Sequence, residues 1–250
     1  MAKRELQEIN AGSMADIAFL LLIFFLVTTT MDKDTAFVRS IPKKVEVKQD
    51  PVEVEERNIL AIKANNQNQL MVRGEIFSDP SQISEFILKF YKTNEINNDV
   101  ENNFPLYSHT SMKQIDDNIR LVESEAEDLE NKGAVKSMIE FKYTQLEEWI
   151  KKKRALELLG GKDLPEIHFQ ANIRIEVQQA TSYEIFAQIQ TEIQEAIYKL
   201  RDDKAQELWG ESYGMLKRKF DAENGAQEKA KLDLLDILYP ARIIEVTPKK

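Results

Sequence analysis

The strongest constraint on this chain is an uninterrupted apolar block near its start. Residues 17–27 read IAFLLLIFFLV and contain no polar side chain. Extended to 15–31, the block covers roughly 26 Å as a helix, just enough to cross the hydrocarbon core of a bilayer. It lacks the polar and apolar faces of a helix packed on a soluble core. We therefore predict one transmembrane helix over 15–31, preceded by a short tail over 1–14.

A carboxylate lies within this predicted span. Asp16 lies near the start of the span, and a charged side chain in such a helix costs up to about 2.5 to 3.5 kcal/mol on insertion scales, the value at the helix centre. A passive anchor would gain nothing from that cost. Desolvation favours the neutral acid over the carboxylate, so Asp16 is suited to take up and release a proton. The residue predicts a proton relay.

Three plainer interpretations compete with a functional span. A cleaved signal peptide would explain the position of the block and the preceding Lys3 and Arg4. Against it, Glu5, Glu8 and Asp16 precede the apolar run, and no small-x-small cleavage site follows. A buried core helix would need an amphipathic period, and a passive anchor would not need Asp16. A functional span accounts for the acidic residues before the apolar run, the missing cleavage site, the missing amphipathic period and Asp16.

Threonines follow the apolar run. On a helix, Thr30 falls on the same side as Asp16, together with Leu20, Ile23 and Val27. Thr28 and Thr29 point elsewhere. Their hydroxyls either bond back to helix carbonyls or belong to a polar pathway, and the spacing alone leaves both options open. Lysines and arginines lie on both sides of the span, so the positive-inside rule does not settle its orientation.

The segment around Asp16 resembles the start of ExbD/TolR biopolymer-transport proteins, which look related to the stator subunit MotB around the same carboxylate. The resemblance rests on INAGSMAD over residues 9–16, including Asn10, and on the apolar run that ends in Val27 and three threonines. Ser13 stands where many members have proline. The resemblance implies that Asp16 carries the proton, with a possible polar pathway formed by Ser13, Thr28, Thr29 and Thr30.

The resemblance also implies partners and a topology. It places the N-terminus in the cytoplasm, one span in the inner membrane and a C-terminal domain in the periplasm. Two such helices, from a homodimer or from a dimer with a paralogue, would sit inside a five-subunit ring similar to ExbB or TolQ. A TonB-like or TolA-like protein would receive the motion. Protons would be the coupling ion, and no other cofactor is implied.

Composition excludes several other functions. The chain has 34 Lys and Arg against 43 Asp and Glu, a net charge of −9, which disfavours a nucleic-acid partner. The absence of cysteine excludes thiolate chemistry, and two histidines disfavour a histidine-rich metal site. No nucleophile elbow or glycine-rich phosphate loop is present. We expect no enzyme, no metal site and no catalytic residue.

The rest of the chain predicts a small α+β domain with helices on one face of a sheet. Charged residues, valines and two prolines over 32–57 indicate a flexible linker. The periplasmic domain is expected over 58–247. Its predicted elements are a hairpin over 58–64 and 69–73, a helix over 79–91, a strand over 166–178, a helix from Thr181 or Ser182 to about 200, and a strand over 242–246.

An insertion over 92–165 interrupts this domain. It carries two helical patterns on either side of Gly133, which predicts a helical hairpin. The insertion is either an arm that docks a partner or a decoration packed on the domain. Within it, the basic run 151–154 is either a contact for anionic lipid or a solvated helix face. His168, on the polar side of the predicted strand, is not expected to act as a ligand or an acid-base group.

The predicted function is that of an ExbD-like subunit of a proton-driven inner-membrane motor that energises transport across the outer membrane through a TonB-like partner. Edge strands of the domain would capture an extended partner segment by strand addition. The alternative is a TolR-like or purely structural anchored scaffold of the envelope, without proton chemistry.

Overall fold

The computed structural model describes residues 19–23, 54–161, 163–178 and 181–246. The chain divides into two units, Met1–Pro51 and Val52–Lys250. In the first unit, residues 19–23 are helical and their side chains are exposed. These five residues fall inside the span predicted over 15–31. The predicted tail, the rest of the span and the linker up to residue 53 lie outside the described residues.

A membrane-spanning helix is not found among the described residues, since none of their helices combines enough length with enough apolar character.

The second unit contains seven strands and six α-helices within its described part. The strands are β1 Ile59–Ala64, β2 Leu70–Val72, β3 Glu75–Phe77, β4 Tyr107–Thr110, β5 Leu164–Ile167, β6 Asn172–Val177 and β7 Ile243–Val246. The helices are α1 Ile83–Lys92, α2 Met112–Asn131, α3 Lys136–Leu158, α4 Tyr183–Trp209, α5 Tyr213–Glu223 and α6 Ala226–Leu238. A short 3-10 turn, Glu56–Asn58, leads into β1.

Five strands form the main sheet in the order β3-β2-β1-β6-β7. β1 pairs antiparallel with β2 and parallel with β6, and β6 pairs parallel with β7. The two shorter strands β4 and β5 form a separate antiparallel ribbon. The chain is therefore a mixed α+β protein, as predicted.

Burial alternates along the central strands. On β1, Leu60 and Ile62 are fully buried, whereas their neighbours are half-buried; on β6 the buried positions are Ile173 and Ile175. This period of two means that one face of the sheet supports the core and the other stays open. Helices α1 and α4 pack together and supply the helical side of that core, which includes Ile87, Phe90, Ile189, Ile193 and Leu200.

The first predicted hairpin is confirmed, with a third strand that the sequence analysis missed. β2 turns into β3 through Arg73 and Gly74, both with positive φ. Two consecutive residues with positive φ suit the tight turn of an antiparallel hairpin. Because β3 is only three residues long, its alternation is too short to be recognised. The next predicted helix is present, and the Asp79 side chain accepts a hydrogen bond from the Ser81 amide at its start.

The single strand predicted over 166–178 is wrong, because two strands in two different sheets occupy this stretch. A turn separates them, in which the Ala171 amide donates to the His168 carbonyl at 2.8 Å. In the sequence, the alternation of apolar residues continues through the turn at Ile167, Phe169, Ala171 and Ile173, but Phe169 is exposed where the chain changes sheet. The alternation therefore concealed the break.

The helical hairpin predicted in the insertion is present as α2 and α3, with Gly133 at φ +61° in the connection. The β4–β5 ribbon joins the two ends of the hairpin to the domain, since β4 precedes α2 and β5 follows α3. We call residues 107–167 the arm. The helix predicted to end near residue 200 continues to Trp209, and helices α5 and α6 follow it, which the sequence analysis did not predict.

Candidate functional site

The residues predicted to carry protons lie outside the described part of the chain. These are Asp16, the motif residue Asn10 and the polar-pathway candidates Ser13, Thr28, Thr29 and Thr30. Their roles stay predictions. The described part contains the other predicted functional feature, the edges of the sheet at which a partner segment could bind, and also the arm and the basic run.

The edge strand β3 exposes an apolar side chain. Ile76 is 68% exposed and pairs with Met71 of β2. A two-residue turn closes on Val72 and Glu75, so the backbone N–H and C=O of Ile76 are directed away from β2. On the opposite face of β3, Phe77 stacks on Phe86 of α1 at 5.6 Å between ring centroids. That contact anchors β3 while leaving the outer edge accessible.

The opposite edge strand is β7. It pairs with β6 through the Ile173 amide, which donates to the Arg242 carbonyl at 2.9 Å. Its Glu245 side chain accepts a hydrogen bond from Gln190 of α4 at 2.7 Å, and its Ile244 and Val246 side chains are exposed. β7 therefore presents apolar side chains on the face of the sheet away from α4. On the opposite face, the Gln190–Glu245 hydrogen bond holds β7 to α4.

The face of the sheet away from the helices is an exposed surface in the described part of the chain, and we call it the open face. At its centre, Lys63 Nζ lies 3.4 Å from the Glu176 carboxylate. The same carboxylate forms an ion pair with Arg174 Nε at 2.6 Å. Two depressions of about 270 and 340 Å³ lie on either side of Lys63 and Met71. The open face comprises Ile59, Ala61, Lys63, Met71, Ile76, Arg174, Glu176, Ile244 and Val246.

Two arginines hold the loop 93–106 beside the open face. Arg57 donates to the Val100 carbonyl at 2.9 Å, and Arg73 donates to the Asn103 carbonyl at 2.6 Å. The Arg73 guanidinium also lies 4.3 Å from the centre of the Phe104 ring, a cation–π contact. Burial lowers the pKa of Arg73. The loop is therefore fixed to the sheet at the point where the chain passes into the arm.

The basic run 151–154 is used in three ion pairs that join different elements. Lys151 pairs with Asp233 of α6 at 3.4 Å, Lys152 with Glu166 of β5 at 2.7 Å, and Lys153 with Asp116 of α2 at 2.8 Å. The Asp116 hydrogen bond raises the pKa of Lys153. The run thus links α3 to α6, β5 and α2. A lipid contact or a solvated helix face would not require these ion pairs.

The base of the arm packs on the C-terminal helices, since α3 and β5 both contact α6. A tyrosine cluster strengthens this junction. Tyr107 donates to the Tyr91 carbonyl at 2.6 Å, and Tyr91 donates to the Pro240 carbonyl at 2.5 Å. Tyr239 donates to Glu95 at 2.8 Å. Burial raises the pKa of Tyr91 to about 12, and burial also raises those of Tyr107 and Tyr239.

Arg201 extends the same junction towards α5. It donates to the Tyr239 carbonyl and to the Tyr213 hydroxyl, and it pairs with Asp236 at 2.9 Å. The Tyr213 amide in turn donates to Asp202 at 2.7 Å. The C-terminal helices are therefore fixed to α4 by charged and aromatic side chains. The tyrosines at positions 91, 107, 213 and 239 were the available signal for this junction, but they are far apart in sequence.

His168 forms part of the turn between β5 and β6. Its Nδ1 accepts a hydrogen bond from the Gln170 amide at 3.3 Å, and its backbone carbonyl accepts one from Arg242 at 2.9 Å. The residue also lines a cleft of about 720 Å³ between the arm and α6, beside the exposed ring of Phe169. Both of these hydrogen bonds shape the turn. Within the described residues, no group of three or more acidic or histidine side chains is arranged to hold a metal ion.

Residues 2–201 match the family described as biopolymer transport protein ExbD/TolR. No significant match was found among curated proteins or among solved structures. The family match covers the apolar block, Asp16, the sheet up to β6, the arm and most of α4, while α5 and α6 lie beyond it. Because the match spans well over half of the chain, the protein belongs to the ExbD/TolR family of biopolymer transport proteins.

Proposed function

We propose that this protein is the proton-coupled subunit of an inner-membrane motor that energises transport across the outer membrane through a TonB-like partner. The observation that carries the proposal is the family match over residues 2–201, which includes Asp16 at the start of the apolar block. An ionisable side chain inside an apolar span is costly and is associated with proton relays and ion pathways. Asp16 is the proton carrier in this proposal.

The proposed assembly follows from the family. Two copies, or one copy and a paralogue, place their spans inside a ring of ExbB-like or TolQ-like subunits, with the N-termini in the cytoplasm. Each proton that crosses supplies about 2.3 kcal/mol per 100 mV of membrane potential. Alternating protonation of the two Asp16 carboxyls biases the movement of the spans within the ring. The periplasmic domain transmits that movement to the partner.

The sheet edges support the proposed contact with the partner. An extended segment can add to β3 because the backbone polar groups of Ile76 face outwards and the strand is anchored from behind by Phe77. Backbone hydrogen bonds would provide affinity, and the exposed Ile76 side chain would contact alternate side chains of the segment.

The proton site is tested by Asp16→Asn in the full-length chain. We expect normal membrane insertion and copurification with the ring subunit, but transport reduced to the level of cells that lack the protein. Asp16→Glu, which restores a carboxyl group, should recover part of the activity. The matched control is Asp34→Asn, a carboxylate beyond the predicted span, and it should retain full transport.

The same experiment separates the two candidate functions. If Asp16→Asn leaves both transport and envelope integrity at the wild-type level, the protein is not the proton carrier of a motor. If Asp16→Asn impairs envelope integrity while nutrient import is unchanged, the motor drives a TolR-type process of envelope maintenance. If neither process depends on Asp16 but both require the protein, a structural scaffold is the correct description.

Strand capture is tested at Ile76. Because the Ile76 N–H faces away from β2, Ile76→Pro removes a donor from the outer edge without breaking a bond inside the sheet. We expect lost cross-linking between β3 and the partner, whereas Ile76→Val, which keeps the N–H, should behave like the wild type. Partner cross-links that form only from arm positions such as Phe141, and never from β3 or β7, would contradict the proposal.

A further inference from the structure

The cleft between the arm and α6 has an unpaired backbone edge at β5, where Ile167 lines it. The His168 amide donates to the Leu106 carbonyl at 3.0 Å, which makes these two residues a hydrogen-bonded pair of the ribbon. Tyr107, the partner of Ile167 in the next pair, directs its own N–H and C=O to the Asn98 side chain. Because the pairs alternate along an antiparallel ladder, the Ile167 N–H and C=O face away from β4, to the outer edge of β5.

These two backbone groups lack a partner. Within the described residues, neither the N–H nor the C=O of Ile167 forms a hydrogen bond, although the residue is 3% exposed. Buried backbone groups are almost always paired, because an unpaired one costs about as much free energy as a lost hydrogen bond. An extended segment of another chain would supply both bonds by adding to β5. Pro165 has no N–H, so the pairing is limited to a short segment.

Arg242 presents a second unpaired group next to this edge. Its Nη1 donates to the His168 carbonyl at 2.9 Å and to the Ala171 carbonyl at 3.5 Å, which orients the guanidinium. In the described part of the chain, its Nε and Nη2 have no hydrogen-bond partner and it forms no ion pair. An Nε–Nη2 edge matches the two oxygens of a carboxylate. Burial lowers the pKa of Arg242, so the charge is partly dehydrated and a bond to it is strengthened.

The remaining ionised groups of the cleft determine the charge of its ligand. Four of them are already used in ion pairs within the domain, namely Lys151, Lys152, Glu166 and Asp236. Glu148 of α3 also lines the cleft and forms no ion pair with a described residue. Arg242 therefore favours an anionic group, which Glu148 opposes.

Apolar side chains complete the site. Phe169 is 74% exposed, and its ring tilts against the His168 ring at 4.7 Å between centroids. Ile237 and Pro240 line the same cleft. The volume of about 720 Å³ lies within the usual range of ligand pockets, about 300 to 1,000 Å³. The cleft therefore suits a few residues of an extended chain and not a folded domain.

We propose that this cleft binds an extended segment of another polypeptide that carries a carboxylate beside an apolar side chain. The segment adds to the outer edge of β5 at Ile167. Its carboxylate pairs with the Nε–Nη2 edge of Arg242, and its apolar side chain packs on Phe169. This site goes beyond the proposed function, since it uses neither Asp16 nor the edge strand β3.

Fluorescence anisotropy of labelled peptides with the full-length chain in detergent tests the site. The first probe is an amidated pentapeptide of leucine and threonine with a central glutamate, and its reference has glutamine instead. We expect the glutamate peptide to bind about tenfold more tightly, as a charge-assisted contact contributes. A third probe has central glutamine and a free C-terminal carboxylate. Tighter binding of the third probe than of the first identifies the ligand as a chain end, and the reverse identifies it as an acidic side chain.

Arg242→Lys keeps the charge but removes the bidentate edge. The preference for glutamate over glutamine should therefore fall from about tenfold to about twofold. A partly unfolded chain would lose affinity for both peptides alike, so this ratio reports on the carboxylate contact. The matched control is Arg218→Lys, at an exposed position on α5, and it should keep the tenfold preference.

Glu148→Gln tests the sign of the ligand charge. Removing the opposing carboxylate should tighten binding of the glutamate peptide by about two- to threefold at low salt. Glu147→Gln, an exposed neighbour on the same helix that does not line the cleft, should leave it nearly unchanged.

Phe169→Ala tests the apolar contact. It should weaken binding of the glutamate and glutamine peptides by about fivefold each, because both peptides share the leucines. Phe141→Ala removes an aromatic side chain of similar exposure from the arm outside the cleft, and it should bind like the wild type.

Four results would overturn the proposal: no binding of any peptide, equal binding of the glutamate and glutamine peptides, an unchanged preference in Arg242→Lys, or weaker binding of the glutamate peptide in Glu148→Gln. Asp16→Asn and Ile76→Pro chains should bind the glutamate peptide like the wild type. A failure of the proposed function is therefore distinguishable from a failure of this site.

Discussion

Replacing Asn94 by alanine should loosen the connection between the sheet and the arm. Asn94 is 1% exposed and organises the loop 93–106 from inside. Its Oδ1 accepts hydrogen bonds from the Asn102 side chain at 2.7 Å and from the Asp99 amide at 3.3 Å. Its Nδ2 donates to the Asn102 Oδ1 at 3.0 Å and to the Pro105 carbonyl at 3.1 Å, with the Phe104 carbonyl at 3.3 Å.

The expected loss of stability follows from these partners. The amide group has two hydrogens and one oxygen, so about four of its hydrogen bonds are formed at once, each contributing about 0.5 to 1.5 kcal/mol net. Alanine also leaves the buried Pro105 carbonyl without this donor. Allowing for water that enters the loop, we expect a decrease of about 2 to 4 kcal/mol in the free energy of unfolding.

Urea unfolding of the full-length chain in detergent, followed by tryptophan fluorescence, measures the change. Trp149 in α3 and Trp209 at the end of α4 report on the arm and on the C-terminal junction. With an m-value of about 2 kcal/mol/M, a loss of about 3 kcal/mol lowers the midpoint by about 1.5 M.

The matched control is Asn97→Ala, at an exposed position three residues further along the same loop. It should change the free energy of unfolding by less than about 0.5 kcal/mol. If Asn94→Ala and Asn97→Ala give the same midpoint, the hydrogen bonds of Asn94 do not organise the loop.

Two further predictions concern the arm and its junction with the domain. Ser111→Ala removes the capping box at the start of α2, formed with Gln114, and should destabilise the arm by about 1 kcal/mol; the exposed Ser137→Ala in α3 should be nearly neutral in the same urea assay. The buried tyrosines predict alkaline sensitivity: the unfolded chain ionises its tyrosines from about pH 10, whereas Tyr91 stays neutral up to about 12, so the stability is complete below pH 10 and is lost as the pH rises towards 12. Urea midpoints measured across this range should fall, and they should fall less steeply in Tyr91→Phe; a constant midpoint would contradict the burial of these hydroxyls.

Local patterns were sufficient for much of the fold. Strand β1, helix α1 and the start of α4, capped by Ser182 of the two predicted candidates Thr181 and Ser182, are each determined by neighbouring residues, and each was predicted. The helical hairpin of the arm followed from two apolar stripes and one glycine. Errors occurred where two different structures share one local pattern, as between residues 166 and 178, where the period of two continued through a turn.

The sequence by itself determined the family, through the segment around Asp16 and the apolar block, because a carboxylate inside a predicted membrane span satisfies few other physical roles. It also determined the mixed α+β class, since strand and helix periods depend on local spacing. Only the tertiary structure decided where the basic run 151–154 is used, how the arm packs on α6 and which strands form the edges of the sheet. Those features depend on contacts between residues distant in the chain, such as Lys151 with Asp233, and such contacts leave no periodic trace in the sequence.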